Sequence, residues 1–305
     1  MKDPYLLHVF NPTKNVSPFD VNMAYEAEFD GVIPYSEVTL EEVHDLTQDT
    51  IFSRGPTGVK RTGIFIGGRE FGLAMDMLNR ARSAMVPPFE VSVFADPSGA
   101  ITTAAALVAA VEVQFKRKTG EALKDKNIHI IGGTGPVGIC AGILAANCGA
   151  NVYLVSHRGA EAAQHIANEY NKRYDVDMRG ADGASDEDHK KYLQECDVVI
   201  GSAKAGLQVL SKKLMGDAPR LQVAADVNAV PPLGLEGVGV HDMGKELDFT
   251  PNKALGIGAL GVGNIKYKVH YRMFELMKQA DKPLYLDHEK AFEAAREFAA
   301  EAKTK

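Results

Sequence analysis

A two-domain α/β fold is predicted by three observations. Short apolar runs alternate with amphipathic stretches over most of the 305 residues, the pattern of parallel strands joined by helices. That length exceeds what one small core requires and divides naturally into two domains. One apolar run, NIHII, ends in a glycine cluster that opens directly into a helix-like stretch.

In the first third, residues 5–11, 62–68 and 89–96 read as strands, with VTLEEVHDLTQ and EFGLAMDMLNRARSAM as helices between them. Residues 98–117 form a long alanine-rich run without proline, suited to a helix leaving one domain for the next. A second alternating region follows, with strands expected at 127–133, 151–156, 196–203 and 221–228. Beyond Asn228 the chain turns rich in glycine and proline, and helical character returns at IKYKVHYRMFELMKQA and in the last twenty residues. The expected division is 1–118 as an α/β catalytic domain, 119–265 as a nucleotide-binding domain, and 266–305 as helices packing back on the first.

The composition narrows the partners. A formal net charge of −6 argues against nucleic acid, because neutralising phosphates needs a basic surface. Cys140, Cys148 and Cys196 form no CxxC pair and read as reduced thiols, without a metal site or a disulfide framework. No apolar window is expected to reach the roughly 18 residues of a membrane span, and the start has no signal-like h-region. The expectation is a soluble, cytoplasmic protein.

Gly133-Thr134-Gly135-Pro136-Val137-Gly138 fits GxGxxG between a strand and a helix, the context that gives the Rossmann motif its meaning. Gly133 is expected to make the tight turn off the strand, Gly135 to admit a pyrophosphate to the backbone, and Gly138 to let the helix pack closely. Pro136 suits a helix start, and the helix end faces the anion with exposed N–H groups. The next strand ends in Ser156-His157-Arg158, where an NAD-binding chain carries an acid for the ribose hydroxyls. A guanidinium there favours a 2′-phosphate, through bidentate pairing and stacking on adenine, so NADP is expected over NAD. The competing reading makes Arg158 a solvated residue at a helix start. Ala203, Asn228 and Gly258 complete the expected cofactor contacts, Asn228 opening the loop that holds Pro231 and Pro232.

The run IIGGTGPVGICAGILAANCGANVYLVSHR, the later ADVNAVPPLGLEGV and GIGALGVGNIKYKVH together resemble the NADP-dependent methylene-tetrahydromethanopterin dehydrogenases. FDVNMAYEAEFDGV, IFSRGPTGVKRTGIFIGG and FADPSGAITTAAA resemble the same family's first domain. The resemblance implies an N-terminal catalytic domain, a Rossmann domain and an active site in the cleft between them. It implies hydride transfer from the methylene bridge of a reduced pterin to NADP, and a homo-oligomer of three subunits or a multiple. It also marks Lys266 as catalytically important. An ammonium beside a developing cation opposes the reaction, so two roles stay open: a neutral amine, or a contact to the pterin away from the reacting carbon. Lys268 points about 200° away on a helix and cannot share that role.

Asp20 either complements the dipole of its helix or grips the pterin. Asp96 and Ser98 either cap the long helix or line the substrate site, with Thr102 one turn further in. Arg54 and Lys60 are candidates for an acidic substrate tail. Two alternatives remain beside the main reading: a methylene-tetrahydrofolate or dual-pterin dehydrogenase, and an NADP-sensing protein without turnover.

Overall fold

The computed structural model describes residues 3–302. Along the chain the elements run β1 (Leu6–Phe10), α1 (Pro18–Glu26), β2 (Gly31–Tyr35), α2 (Glu42–Phe52), α3 (Pro56–Val59), β3 (Thr62–Ile66), α4 (Phe71–Ser83), β4 (Ser92–Ala95) and α5 (Ala100–Thr119). They continue with β5 (Asn127–Ile131), α6 (Pro136–Asn147), β6 (Asn151–Ser156), α7 (Ala160–Tyr174), β7 (Met178–Asp182), α8 (Asp186–Leu193), β8 (Val198–Gly201), α9 (Lys212–Gly216) and β9 (Val223–Asp226). The chain ends with β10 (Met243–Glu246), β11 (Leu255–Ile257), α10 (Ala259–Gln279), β12 (Tyr285–Leu286) and α11 (His288–Glu301). Among the described residues two compact units result: 3–102 with 267–294, and 103–266 with 295–302.

The first unit holds a parallel sheet in the order β12-β4-β3-β1-β2. Central β3, TGIFI, is buried at every position, as expected of a strand covered on both faces. Phe65, Phe94 and Phe274 pack against one another at interplanar angles of 52 to 87°, with centroids 5.3 to 5.7 Å apart. Because β1 pairs with both β2 and β3, the chain reverses direction across the sheet there. The crevice beyond the carboxyl ends of β1 and β3 is therefore a topological switch point.

The second unit holds seven strands in the order β10-β11-β9-β8-β5-β6-β7, parallel except for the β10–β11 pair. Its switch point lies between β5 and β8. Helix α6, apolar along nearly its whole length, is buried from Gly138 to Ala145. Strand β2 carries Gly31 and Pro34, and β7 carries Arg179 and Asp182. Both are edge strands without a clean alternating pattern, which is why neither reads as a strand from sequence.

The expectation of no membrane-length window needs correction. Pro97–Thr119 is long and apolar enough to cross a membrane by length and composition, with a mean hydropathy of 1.4 over an 18-residue window within it. Seventy-eight per cent of that window is buried inside the protein, so core packing accounts for its apolar character. Helix α10 also starts earlier than its sequence indicates, at Ala259, because glycines read as a loop belong to its first turns. A β-carbon on Gly261 would meet the Asp242 carbonyl at 2.8 Å, so the glycine permits close packing rather than breaking the helix.

Candidate functional site

The phosphate turn leaves β5 at Gly132, whose φ of +74° is the left-handed conformation the turn requires. A β-carbon there would lie 2.7 Å from the backbone N and Cα of Ala203. The tight turn thus belongs to Gly132, one residue before the position expected from the motif. Gly133 is glycine for a different reason: its β-carbon would strike the Ile130 carbonyl at 2.6 Å and Leu154 Cα at 2.9 Å, across to β6. Gly138 packs against the turn itself, with Gly133 Cα 2.6 Å from its would-be β-carbon.

Gly135 differs from all three. It is the N-cap of α6 with φ −84° and ψ 167°, and a β-carbon there would find nothing nearer than the Gly132 carbonyl at 3.4 Å. The folded chain leaves room for a side chain that the sequence does not supply. That cradle fits a group approaching the backbone from outside. Pro136 occupies the first turn, and the N–H groups of Val137 and Gly138 have no intrahelical acceptor at that depth. Half-buried Thr134 stands beside them. An anion is the natural complement to this helix end, and a pyrophosphate fits it.

Ser156 ends β6 and is buried, and its Oγ accepts the Arg158 N–H at 3.1 Å. The hydroxyl therefore shapes the turn that presents His157 and Arg158, both exposed. A cavity of about 340 Å³ opens over the carboxyl ends of β5 and β8, lined by Gly132, His157, Ser185, His189, Ala203 and Leu207 among others. Ser185 caps α8 in a reciprocal box with Asp188. His189 is buried one turn further on, and burial holds its pKa below the ordinary value for an imidazole. Neither Gly132 nor His189 stands out in the sequence, since one is masked by an adjacent glycine and the other sits on a charged helix.

Asn228 and Gly258 are engaged within the protein. The Asn228 side-chain Oδ1 accepts from Gly206 N–H at 3.1 Å and Val230 N–H at 2.9 Å, and its Nδ2 donates to the Pro232 carbonyl at 2.9 Å. Asp226 holds the same loop by accepting the N–H groups of Asn228 and Leu235. Burial raises its pKa, and the surrounding backbone N–H groups oppose that shift. At Gly258 a β-carbon would collide with the Gly239 carbonyl, so backbone packing dictates the glycine.

In the first unit a cavity of about 280 Å³ occupies the switch point. Its walls include Asn11 after β1, Gly68 and Arg69 after β3, Ser98 after β4, and Asp20 in the first turn of α1. Asp20 is buried, while Ser98 is exposed and donates its hydroxyl to the Gly68 carbonyl at 2.8 Å. Gly68, at φ +100°, admits no β-carbon because Pro12 lies 2.7 Å away. Asn11 holds the Thr13–Asn15 wall by donating to the carbonyls of both residues.

Asp96 and Thr102 do not face this cavity. The Asp96 carboxylate is fully buried and accepts the N–H groups of Ile101 and Thr102 at 2.9 and 3.1 Å, and the Thr102 hydroxyl at 2.6 Å. They form the cap of α5, one of the two roles open from sequence. Arg54 and Lys60 lie at the opposite end of the sheet. Arg54 donates to Thr62 Oγ1 at 2.8 Å and to the Arg61 and Pro4 carbonyls. Exposed Lys60 borders a separate cavity of about 230 Å³ beside Thr62 and Ser92, the first residues of β3 and β4. A strand the length of β3 spans roughly 16 Å, so these two cations are remote from Asp20 and Ser98. The cation that does line the Asp20 cavity is Arg69. Lys266 is half-buried on α10, with Lys268 exposed. Among the described residues no group of three or more His, Cys, Asp or Glu could hold a metal ion.

A family described as methylene-tetrahydromethanopterin dehydrogenase, N-terminal, matches residues 18–98. The chain is 45% identical over 294 residues to the NAD(P)-dependent methylenetetrahydromethanopterin dehydrogenase of Methylorubrum extorquens, covering 96% of this chain and 98% of that protein. It is 32% identical to the Bifunctional protein MdtA of the same organism, covering 96% and 99%. Among solved structures, quinate dehydrogenase from Corynebacterium glutamicum in complex with NAD aligns with a TM-score of 0.53. That alignment has 10% identity and covers 96% of this chain and 98% of the other, a likeness of fold. The chain belongs to the methylene-tetrahydromethanopterin dehydrogenase family.

Proposed function

We propose that this protein oxidises methylene-tetrahydromethanopterin, passing a hydride from the one-carbon bridge to NADP⁺ and leaving the methenyl cation and NADPH. Atoms and charge balance without a proton: the hydride carries both bonding electrons, and the nicotinamide's positive charge is replaced by that of the methenyl product. The two nitrogens flanking the bridge stabilise that cation, so the reaction calls for alignment and exclusion of water rather than a nucleophile or a base.

The observation that carries the reading is the combination of the Gly135 cradle with Arg158 at the end of β6, in a chain 45% identical to a dehydrogenase so named. Bound NADP⁺ supplies the hydride acceptor. The first-turn N–H groups of α6 hold its pyrophosphate, and Arg158 pairs with the 2′-phosphate while leaving NAD a weaker cofactor. Asp20, buried in the cavity of the first unit, accepts from the pterin's N–H donors and offsets the positive charge that develops during transfer. Arg69 is the cation best placed for the anionic tail of the substrate. Lys266 is assigned to catalysis on the family likeness.

The acidic net charge supports small-molecule partners over nucleic acid, and the absence of disulfides among the described residues fits a cytoplasmic setting. A homo-oligomer of three subunits or a multiple is proposed on the family likeness alone. Initial rates with methylene-tetrahydromethanopterin and methylene-tetrahydrofolate, each with NADP⁺ and NAD⁺, test the assignment. The highest kcat/KM is expected for the first pterin with NADP⁺, and a higher value with tetrahydrofolate would reassign the substrate.

A further inference from the structure

His270 and Asp96 are both fully buried in the first unit, 174 residues apart in sequence, with His270 Nδ1 3.0 Å from Asp96 Oδ2. The cap of α5 already brings three other donors to this carboxylate: two backbone N–H groups at a helix N-terminus and the Thr102 hydroxyl. The carboxyl group therefore has three donors besides the imidazole. What the imidazole adds is a link between elements.

The His270 ring stands among Phe94 at 5.3 Å, Phe65 at 5.8 Å and Phe274 at 4.9 Å between centroids, and it meets Phe19 at 90° and 5.6 Å. A fifth apolar ring would fill such a site without the desolvation cost of an imidazole. Instead one edge of the ring is bonded to the loop after β4, and the ring also touches α1 through Phe19. Each of those elements carries a wall of the 280 Å³ cavity: Ser98 lies two residues beyond Asp96, and Asp20 follows Phe19.

Ser98 itself is held at φ +53° and ψ +29°, a left-handed conformation unfavourable for a residue with a β-carbon. Such a conformation persists where its surroundings over-determine it. Here those surroundings are the Asp96 cap on one side and the hydroxyl bond to the Gly68 carbonyl on the other.

We propose that Asp96 and His270 are positioning residues for the pterin cavity, the buried imidazole fixing the Ser98 turn and the Asp20 helix in one mutual register. The proposal rests on reading this cavity as the pterin site. It assigns no contact between either residue and the substrate.

The test uses three variants of the full chain, with thermal stability, the KM for each substrate and kcat measured for each. His270→Phe keeps an aromatic ring among the phenylalanines and loses the donor. In His270→Asn the side-chain amide stands where Nδ1 stood, keeping the donor and losing the ring. Asp96→Asn keeps an acceptor for the backbone cap and alters the half that meets His270. His270→Phe is expected to raise the pterin KM about tenfold, the scale of one hydrogen bond to a charged group. The KM for NADP⁺, whose site lies in the second unit, is expected to stay within twofold. His270→Asn should recover at least half of that loss on a logarithmic scale. Should His270→Phe fail to fold, Asp96→Asn decides by the same criterion, a pterin KM raised with the NADP⁺ KM unchanged. A pterin KM within twofold of the parent in every folded variant, with loss confined to thermal stability, would overturn the proposal. An inactive parent protein would instead contradict the assigned substrate, which separates the two failures.

Discussion

Replacing Gly132 and Gly135 separately with alanine should divide the phosphate turn into a folding residue and a binding residue. At Gly132 the new methyl meets two penalties. The left-handed backbone at φ +74° costs a β-carbon residue about 1–2 kcal/mol, and forcing the carbon to 2.7 Å from the Ala203 backbone adds about 1–3 kcal/mol of overpacking. The sum, roughly 2–5 kcal/mol, falls on the unliganded protein. At Gly135 the backbone is ordinary and the nearest atom is 3.4 Å away, so only N-cap preference is lost, about 1 kcal/mol or less. The methyl there projects to where a pyrophosphate must approach the helix end. Losing about 2 kcal/mol of that contact raises Kd roughly 30-fold. Thermal unfolding without nucleotide and a fluorescence titration with NADPH measure the two effects. Gly132→Ala should melt well below the parent, and Gly135→Ala close to it but with much weaker NADPH binding. Parent-like affinity in Gly135→Ala would refute the cradle.

Arg158→Ala should raise the KM for NADP⁺ about tenfold, the scale of one phosphate pairing, and leave that for NAD⁺ nearly unchanged; equal losses would remove the 2′-phosphate assignment. Lys266→Ala should lower kcat more than it raises the pterin KM, and an effect confined to KM would make Lys266 a binding residue. His129 is stacked between Tyr153 and Tyr192 at 4.5 and 4.6 Å, and burial pushes its pKa down to about 4. A folded value below the unfolded 6.5 means the neutral ring contributes stability that is complete above about pH 6.5 and is lost as pH falls through about 4. The loss by pH 5 is about 2 kcal/mol. His129→Phe should therefore flatten the fall in Tm between pH 7 and pH 5, and an unchanged slope would contradict this account.

The nucleotide half was legible because its signal is local. NIHII, the glycines, α6 and NVYLVS are consecutive in sequence, and their spacing reflects one strand–turn–helix–strand path. The division of labour among the glycines was not legible, since Gly132 and Gly133 are adjacent and only backbone angles and the Ala203 contact distinguish them. Arg54 and Lys60 were misplaced although the sequence held the needed signal. Both precede β3, so in a parallel sheet they must lie at the end opposite Gly68 and Arg69, which follow it. Asp96 was recognisable as a helix cap, but its partner His270 was not, because a hydrogen bond spanning 174 residues leaves no pattern in either segment. Strands β2 and β7 were missed for a related reason: at a sheet edge, solvent relaxes the demand for alternating apolar residues.

Direct hydride transfer from the pterin bridge to the nicotinamide can be followed by supplying methylene-tetrahydromethanopterin dideuterated at the bridge carbon, together with unlabelled NADP⁺ in ordinary water. Transfer of the hydride places one deuterium at the nicotinamide C4 of every NADPH formed, with the other retained on the methenyl product. NADPH carrying hydrogen from solvent, or no NADPH at all, would contradict it.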